Sequence, residues 1–261
     1  MPDFSQTPSK SLSPAVLAAM ASLLGELAGS EASLEFRRRQ LCAGLAEQIE
    51  ADGWIWTFGV VDQERKIPIN AGLLYGGISD RQAMVMLNSM SDQANPSPLN
   101  REFVALLGKG KPFTVRRRDV VSEEVWYASE NTKAYRLREG IDDLLYSLLP
   151  SKGGFSGMAF LRKVEREGFS ARHRDMVAFA LGSAWRLCSV ESGEMLSVDA
   201  MALSPRLRSV LTLLLEGYLC KEIAECYSLS PHTVKGYIRD IYRHFSVHSQ
   251  LTLIRHFRGK M

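Results

Sequence analysis

The C-terminal part of the chain concentrates side chains that bind phosphates and base edges. Residues 201–261 carry nine Lys and Arg against four Asp and Glu, whereas residues 1–200 carry 23 against 25. Four of the five histidines also lie in residues 201–261. Lysine and arginine donate hydrogen bonds to phosphate oxygens, and arginine pairs with guanine through two of them. The charge asymmetry therefore predicts an anionic partner for this part, with nucleic acid favoured over a membrane surface.

The order of residues 231–245 places these donors on one side of a predicted helix. At about 100° per residue, four apolar side chains form a single stripe: Val234, Ile238, Ile241 and Phe245. The rest of the wheel carries a basic face with a glycine gap, made of His232, Lys235, Gly236, Arg239 and Arg243. A solvated amphipathic helix would show the same pattern, so the periodicity alone leaves the function open.

The elements that must position this helix are marked by helix-start signals. Leu-Ser-Pro triplets begin at Leu12, Leu203 and Leu229. Each predicts a helix start, because serine caps the first free N–H groups and proline at the first position loses no hydrogen bond. Lys221–Tyr227 predicts a short helix, which only three residues separate from Pro231. Two short helices joined by so tight a turn are typical of a helix-turn-helix, in which one helix braces the other in the major groove.

Residues 202–258 resemble the LuxR/FixJ-type DNA-binding domain. The similar blocks are Leu203-Ser204-Pro205-Arg206, Glu216-Gly217, Lys221-Glu222-Ile223-Ala224, Leu229-Ser230 and Thr233-Val234-Lys235, followed by Ile241. The resemblance implies a four-helix domain whose third helix, Pro231 to His244, enters the major groove. It also implies that the last helix, from about Ser249, pairs two copies of the chain.

We expect the DNA contacts to come from the second and third helices of this domain and from the turn between them. The expected contact residues are Lys221, Ser230, His232, Thr233, Lys235, Gly236, Arg239 and Arg243.

Four places in the domain depart from the family pattern. Gln250 stands where the family usually has arginine, and Tyr237 where it often has histidine. We expect these two to affect phosphate contacts and target sequence. Leu207 replaces an acidic residue, and Phe245-Ser246 replaces Leu-Gly. We expect the last two to affect packing more than DNA.

The chain before this domain predicts an α+β fold with an antiparallel sheet and helices. Aromatic and β-branched runs predict strands over 54–61, 67–75, 113–117, 143–150 and 157–163. Helical patterns cover 14–28, 33–51, 79–90, 99–107, 129–138 and 169–190. We assign residues 1–190 to an N-terminal sensory and dimerisation domain, 191–200 to a linker and 201–261 to the helix-turn-helix domain.

Residues from about 120 to 190 resemble the GAF-like front domains of orphan regulators. The similar segments are Trp126-Tyr127, Asn131 to Tyr135, Leu137 to Asp143 and Phe169 to Asp175. The resemblance implies a PAS/GAF-type sheet with helices at one face and a small-molecule cavity. The candidate pocket residues are Trp54, Trp56, Trp126, Tyr127 and Tyr146. Aromatic residues of such a sheet belong to a core more often than to a ligand site, so both interpretations stay open.

The sequence predicts a cytoplasmic, homodimeric transcription regulator that binds double-stranded DNA, with RNA polymerase as a further partner. One alternative is an acyl-homoserine-lactone-type quorum-sensing receptor, although the aromatic residues do not reproduce the tryptophan-aspartate order of that subfamily. The other is a small-molecule-processing enzyme with a basic tail, for which we find no catalytic motif. We predict no catalytic residue, metal site or cofactor, and no membrane helix, because no apolar run approaches roughly 20 residues. The signal and the operator stay open.

Overall fold

The computed structural model describes residues 12–62, 67–151, 154–188, 203–227 and 229–258. Residues 12–188 form most of one compact unit, and residues 203–258 form most of a second. The predicted linker, 191–200, lies outside the described residues, and the predicted domain limits stay predictions.

The first unit is built on a five-stranded sheet. Its strands are β1 (Gly53–Asp62), β2 (Ile67–Gly76), β3 (Phe113–Arg116), β4 (Ile141–Ser151) and β5 (Gly154–Lys163). The strand order is β2-β1-β5-β4-β3. β5 pairs antiparallel with both β1 and β4, and β4 pairs antiparallel with β3. The α+β class with an antiparallel sheet is thereby confirmed.

Helices precede, interrupt and follow this sheet. They are α1 (Pro14–Gly29), α2 (Leu34–Gln48), α3 (Asp80–Ser91), α4 (Pro98–Leu107), α5 (Arg117–Val120), α6 (Glu123–Ala128), α7 (Glu130–Tyr135), α8 (Ala171–Ser183) and α9 (Trp185–Cys188), with a 3-10 turn at Leu137–Glu139. Within the described ranges, no helix is both long and apolar enough to cross a membrane.

Three predicted helices are shorter in the structure. The one predicted over 33–51 ends at Gln48. The one predicted over 129–138 ends at Tyr135, and a 3-10 turn at Leu137–Glu139 follows it. The one predicted over 169–190 breaks at Ala184, and α9 begins at Trp185. There Arg38 Nε of α2 donates a hydrogen bond to Leu187 O at 2.8 Å. The break at Ala184 is thus accompanied by a contact with α2, whose residues are distant in sequence.

Helices cover both faces of the sheet, so the expectation of helices at one face is wrong. Trp54, Trp56 and Phe160 pack in a core with side chains of α1, α2 and α8. Ile55 and Tyr146 point to the opposite side, towards α3 and α4. Successive strand residues face opposite sides, and here both alternating positions are apolar. Each face of the sheet is therefore buried by its own set of helices.

In the described residues of the second unit, four helices pack as a bundle, as predicted. They are α10 (Pro205–Leu215), α11 (Cys220–Cys226), α12 (Pro231–His244) and α13 (Gln250–Arg258). All four contribute to one core, whose fully buried residues include Val210, Leu211, Ile223, Val234, Ile241 and Leu253.

The serines of the three Leu-Ser-Pro triplets cap helices. Ser13, Ser204 and Ser230 each accept a hydrogen bond from the backbone N–H three residues on, at 3.4, 3.4 and 3.1 Å. The following proline occupies the first turn of α1, α10 and α12. The predicted helix starts are therefore confirmed, and α12 spans the residues expected of the third helix.

Candidate functional site

A short turn brings α11 and α12 together. Leu229 N donates a hydrogen bond to Ala224 O at 2.8 Å, which closes the turn at the end of α11. Cys220 Sγ lies 3.4 Å from Pro231 O, so the first residue of α11 contacts the first residue of α12. The N-terminal end of α12 is therefore held by α11.

The two sides of α12 differ as the helical wheel predicts. Val234 and Ile241 have no exposed area. The side chains of Arg239 and Arg243 are 75% and 71% exposed. Burial of the apolar stripe fixes the rotation of the helix about its axis, and the basic face consequently points away from the domain core.

Three nitrogen-bearing side chains of this region are open to an external partner. Lys221 in the first turn of α11, and His232 and Lys235 in α12, are exposed. Within the described part of the chain they form no hydrogen bond or ion pair. A phosphate can therefore be bound by them without loss of an internal contact.

An aspartate lies among the arginines of α12. Asp240 Oδ1 is 3.3 Å from Arg243 Nη1 and 4.0 Å from Arg239 Nε. Exposed ion pairs of this kind contribute at most about 1 kcal/mol. Either arginine can therefore exchange Asp240 for a phosphate or a base edge. Asp240 is absent from the predicted contact residues, although its spacing of three from Arg243 was a visible signal.

Ser230 and Thr233 form the N-terminal cap of α12. Ser230 Oγ accepts from Thr233 N at 3.1 Å, and the two hydroxyl oxygens lie 2.8 Å apart. This arrangement orders the first turn, whose remaining N–H groups form the positive end of the helix dipole. The cap thus presents a second feature that attracts a phosphate.

Gly236 lies on α12 where the domain leaves space. Apart from its chain neighbours and the backbone of its own helix, a Cβ atom at this position would meet no described heavy atom within 4 Å. Packing inside the domain therefore does not require a glycine here.

A groove runs beside the basic face. It is lined by Lys235, Arg239 and Arg243 together with Tyr242 and His248. Tyr242 lies two helical turns after Lys235, so helical spacing could have identified it. His248 follows the end of α12, and only the folded chain brings it to the groove.

Comparison with known families identifies this domain. Residues 201–257 match the model of the bacterial regulatory proteins, luxR family. These residues are a LuxR-type DNA-binding domain. The chain is accordingly a DNA-binding transcriptional regulator, and the LuxR-type domain points to a regulator rather than to an enzyme.

Three solved structures align with parts or most of this chain at low sequence identity. Escherichia coli SdiA is 14% identical with a TM-score of 0.39, covering 91% of this chain and 94% of that chain. The VqsR LBD domain from Pseudomonas aeruginosa is 17% identical with a TM-score of 0.42, covering 67% and 93%. The GAF domain/HD domain protein from Geobacter sulfurreducens is 13% identical with a TM-score of 0.33, covering 64% and 97%. None of the curated proteins compared with this chain matches it in sequence.

Two departures from the LuxR-type pattern lie against the domain core. Leu207 and Tyr237 are partly buried and pack on it. The position of Tyr237 connects this departure with packing, whereas the sequence predicted an effect on the DNA target.

Outside the LuxR-type domain, the five aromatic residues proposed for a ligand pocket do not converge. Trp54 and Trp56 lie in the core between the sheet and α1, α2 and α8. Trp56 Nε1 donates to Ser156 Oγ at 2.6 Å, and the guanidinium carbon of Arg38 lies 4.3 Å from the centroid of its ring. These two tryptophans therefore belong to the core, because their strand positions face away from α3 and α4.

Trp126 and Tyr127 belong to a polar cluster around Asp142. Trp126 Nε1 donates to Asp142 Oδ1 at 3.0 Å, and the Tyr127 hydroxyl donates to Asp142 Oδ2 at 2.8 Å. Arg117 is fully buried beside them, with Nε 3.5 Å from Asp143 Oδ1. Burial and the hydrogen bond to Asp142 raise the pKa of Tyr127. The contacts connect α6 with β4, so these aromatic rings serve an internal network.

Tyr146 is the member of the five that borders a cavity. In the register of the sheet, Tyr146 and Ile55 both pair with Ala159, and all three line this cavity. It has a volume of about 70 Å³ and lies between the sheet and helices α3 and α4. A ligand pocket in this unit stays a prediction, and Tyr146 is the predicted residue that borders this cavity.

Proposed function

We propose that the chain is a homodimeric, sequence-specific transcription regulator whose N-terminal unit responds to a small molecule. The observation that carries the proposal is the exposed basic face of α12 within the LuxR-type domain. It combines open donors at His232 and Lys235 with two arginines more than 70% exposed. An exposed basic helix held by a second helix suits the major groove of DNA.

We assign the residues of this face to two kinds of DNA contact, with base edges and with phosphates. Lys235 and Arg239 lie one helical turn apart, and we assign them to base edges, where arginine recognises guanine through two hydrogen bonds. Lys221, His232 and Arg243 are assigned to phosphates, which position the protein without reading sequence.

The cap of α12 and its glycine complete the proposed interface. Ser230 and Thr233 order the helix N-terminus against a phosphate. Gly236, beside which the domain leaves open space, allows the helix to approach the groove closely.

A dimer follows from the size of the reading surface. One short helix reads only a few base pairs, and two copies on half-sites about one helical turn apart extend the target. A chain that acts on a bacterial chromosome works in the cytoplasm, and where it activates transcription RNA polymerase is its protein partner.

The test is a selection of duplexes from a random library by the full chain, followed by sedimentation of the complex. We expect enrichment of a two-fold symmetric motif with half-sites roughly 10 base pairs apart. Two protein chains should bind each duplex. Absence of any enriched motif would contradict sequence-specific binding, and a monomer on the selected duplex would contradict the dimer.

A further inference from the structure

The cavity in the N-terminal unit is walled mainly by apolar side chains. Two methionine side chains of α3, Met86 and Met90, contribute to this wall. Phe103 of α4 closes another side. Methionine is flexible and adapts its shape, so a cavity of about 70 Å³ can enlarge around an apolar guest.

One charged side chain lies in this apolar wall. Arg136 is 3% exposed and lines the cavity. Among the described residues, its guanidinium forms one hydrogen bond, from Nη1 to Met86 Sδ, and its buried Nε has no partner. Thioether sulfur is a weak, uncharged acceptor, and no carboxylate of the described residues forms an ion pair with this guanidinium.

The backbone fixes where Arg136 enters the cavity. Arg136 N donates to Thr132 O at 2.9 Å, and Arg136 O accepts from Glu139 N and Ile141 N, both at 3.0 Å. The residue is thereby held between α7 and β4. A hydrogen-bonded backbone of this kind fixes the point from which the side chain enters the cavity.

A second polar group without a partner lines the same cavity. The hydroxyl of Tyr146 is buried and makes no hydrogen bond with the described residues. The Tyr146 ring packs edge-on against Phe103, with centroids 4.5 Å apart. Burial raises the pKa of Tyr146, so the group stays a neutral donor. Two buried donors and an apolar wall thus border the same small space.

We propose that this cavity binds a small apolar carboxylate, which accepts hydrogen bonds from Arg136 and Tyr146 and lays its tail among the methionines. The inference rests on the proposed sensory role of the N-terminal unit. An anion supplies the missing partner of the guanidinium, whereas a neutral lactone or alcohol leaves the buried charge uncompensated. The apolar wall disfavours sugars and phosphate esters, whose polar atoms would lack partners.

The test measures binding of defined probes to the full chain by calorimetry. The probes are hexanoate, octanoate and benzoate, with hexanamide and octanamide as uncharged controls and N-octanoyl homoserine lactone as the competing ligand class. We expect at least one carboxylate to bind with 1:1 stoichiometry and its amide to bind about tenfold or more weakly. Equal binding of acid and amide, or binding of the lactone alone, would overturn the proposal.

Variants locate the site. Arg136→Gln and Tyr146→Phe should each weaken carboxylate binding, with the larger loss for Arg136→Gln. Arg138→Gln makes the same change at an exposed position two residues away and should leave the affinity unchanged. If Arg136→Gln does not fold, Tyr146→Phe tests the site instead. It removes only a hydroxyl that has no hydrogen-bond partner among the described residues. Unchanged affinity in Tyr146→Phe and in every folded variant of Arg136 would overturn the assignment.

DNA binding of the same preparations separates this inference from the proposed function. A chain that binds its selected duplex but none of the carboxylates refutes the ligand class alone. A chain that binds a carboxylate but no duplex refutes the proposed regulator while supporting the site.

Discussion

Gln250 Nε2 donates a hydrogen bond of 2.9 Å to the carbonyl oxygen of Leu214. The same amide donates to Tyr218 O, also at 2.9 Å. Leu214 lies in the last turn of α10 and Tyr218 lies just after this helix, so the first residue of α13 adds side-chain hydrogen bonds to carbonyl groups at and beyond the end of α10. The residue that stands in place of the family's arginine thus joins two helices of the domain.

The contacts of Gln250 predict a loss of stability. Gln250→Ala should lower the free energy of unfolding by about 1–2 kcal/mol, because two neutral hydrogen bonds are removed. Gln250→Glu should cost more, since it places a negative charge against two carbonyl oxygens. Urea denaturation of the full chain measures both. Affinity for DNA at a temperature where the variants are folded should be retained, and a selective loss of affinity without a loss of stability would contradict this role.

Ser246 occupies a backbone conformation that favours glycine. It ends α12 at φ +53°, with Ser246 N bonded to Arg243 O and Val247 N bonded to Tyr242 O. α10 ends with the same pair of bonds, and there the corresponding residue is Gly217 at φ +98°. The two helices therefore share one type of C-terminal motif, but only one of them has the residue suited to it.

Ser246→Gly should stabilise the domain by about 0.5–1 kcal/mol, because it relieves left-handed strain in an L-residue. Thermal denaturation of the full chain measures the change. Ser249→Gly is the matched control, since Ser249 Oγ accepts a hydrogen bond from Thr252 N at 3.2 Å and its removal should lower stability slightly. The same sign of change in both variants would refute the explanation.

Substitution of Gly236 should affect stability and DNA affinity in opposite directions. Gly236→Ala should raise the free energy of unfolding by up to about 1 kcal/mol, because alanine favours helix and the added methyl meets open space. The same variant should weaken binding to the selected duplex if the helix lies close to the groove wall there. Stability and anisotropy titrations are compared on one preparation. A more stable variant with unchanged affinity would remove Gly236 from the interface.

Lys221 and Arg239 should respond differently to substitution. Lys221→Ala should weaken binding to all duplexes alike and reduce the salt dependence by about one phosphate contact. Arg239→Ala should relax preference at particular positions, by about 1–3 kcal/mol of discrimination. Titrations against an operator library at several salt concentrations measure both effects, with Arg138→Ala as a control for loss of charge elsewhere. If Lys235→Ala and Arg239→Ala each lower the affinity equally for every duplex, neither residue contacts base edges, and their assignment would be wrong.

The basic face of α12 could be predicted from the sequence because the signals that determine it are local. The cap at Ser230, the proline after it and the stripe from Val234 to Ile241 act within one or two helical turns. Helical periodicity then determines which side chains face outward, so Arg239 and Arg243 were placed correctly. Asp240 was overlooked, and His248 could not be found, because the chain must fold before it reaches the groove.

The N-terminal cavity depended on contacts between distant segments. Both faces of the strands are apolar, so alternation alone could not tell whether Trp56 or Tyr146 faced a cavity. Nothing local marked Arg136, whose acceptor, Met86, lies 50 residues earlier in the chain. The sequence by itself determined the helices, their caps and the basic face of α12, because these depend on neighbours in the chain. Only the tertiary structure decided which sheet face holds a cavity and which buried donors border it, because packing brings those groups together.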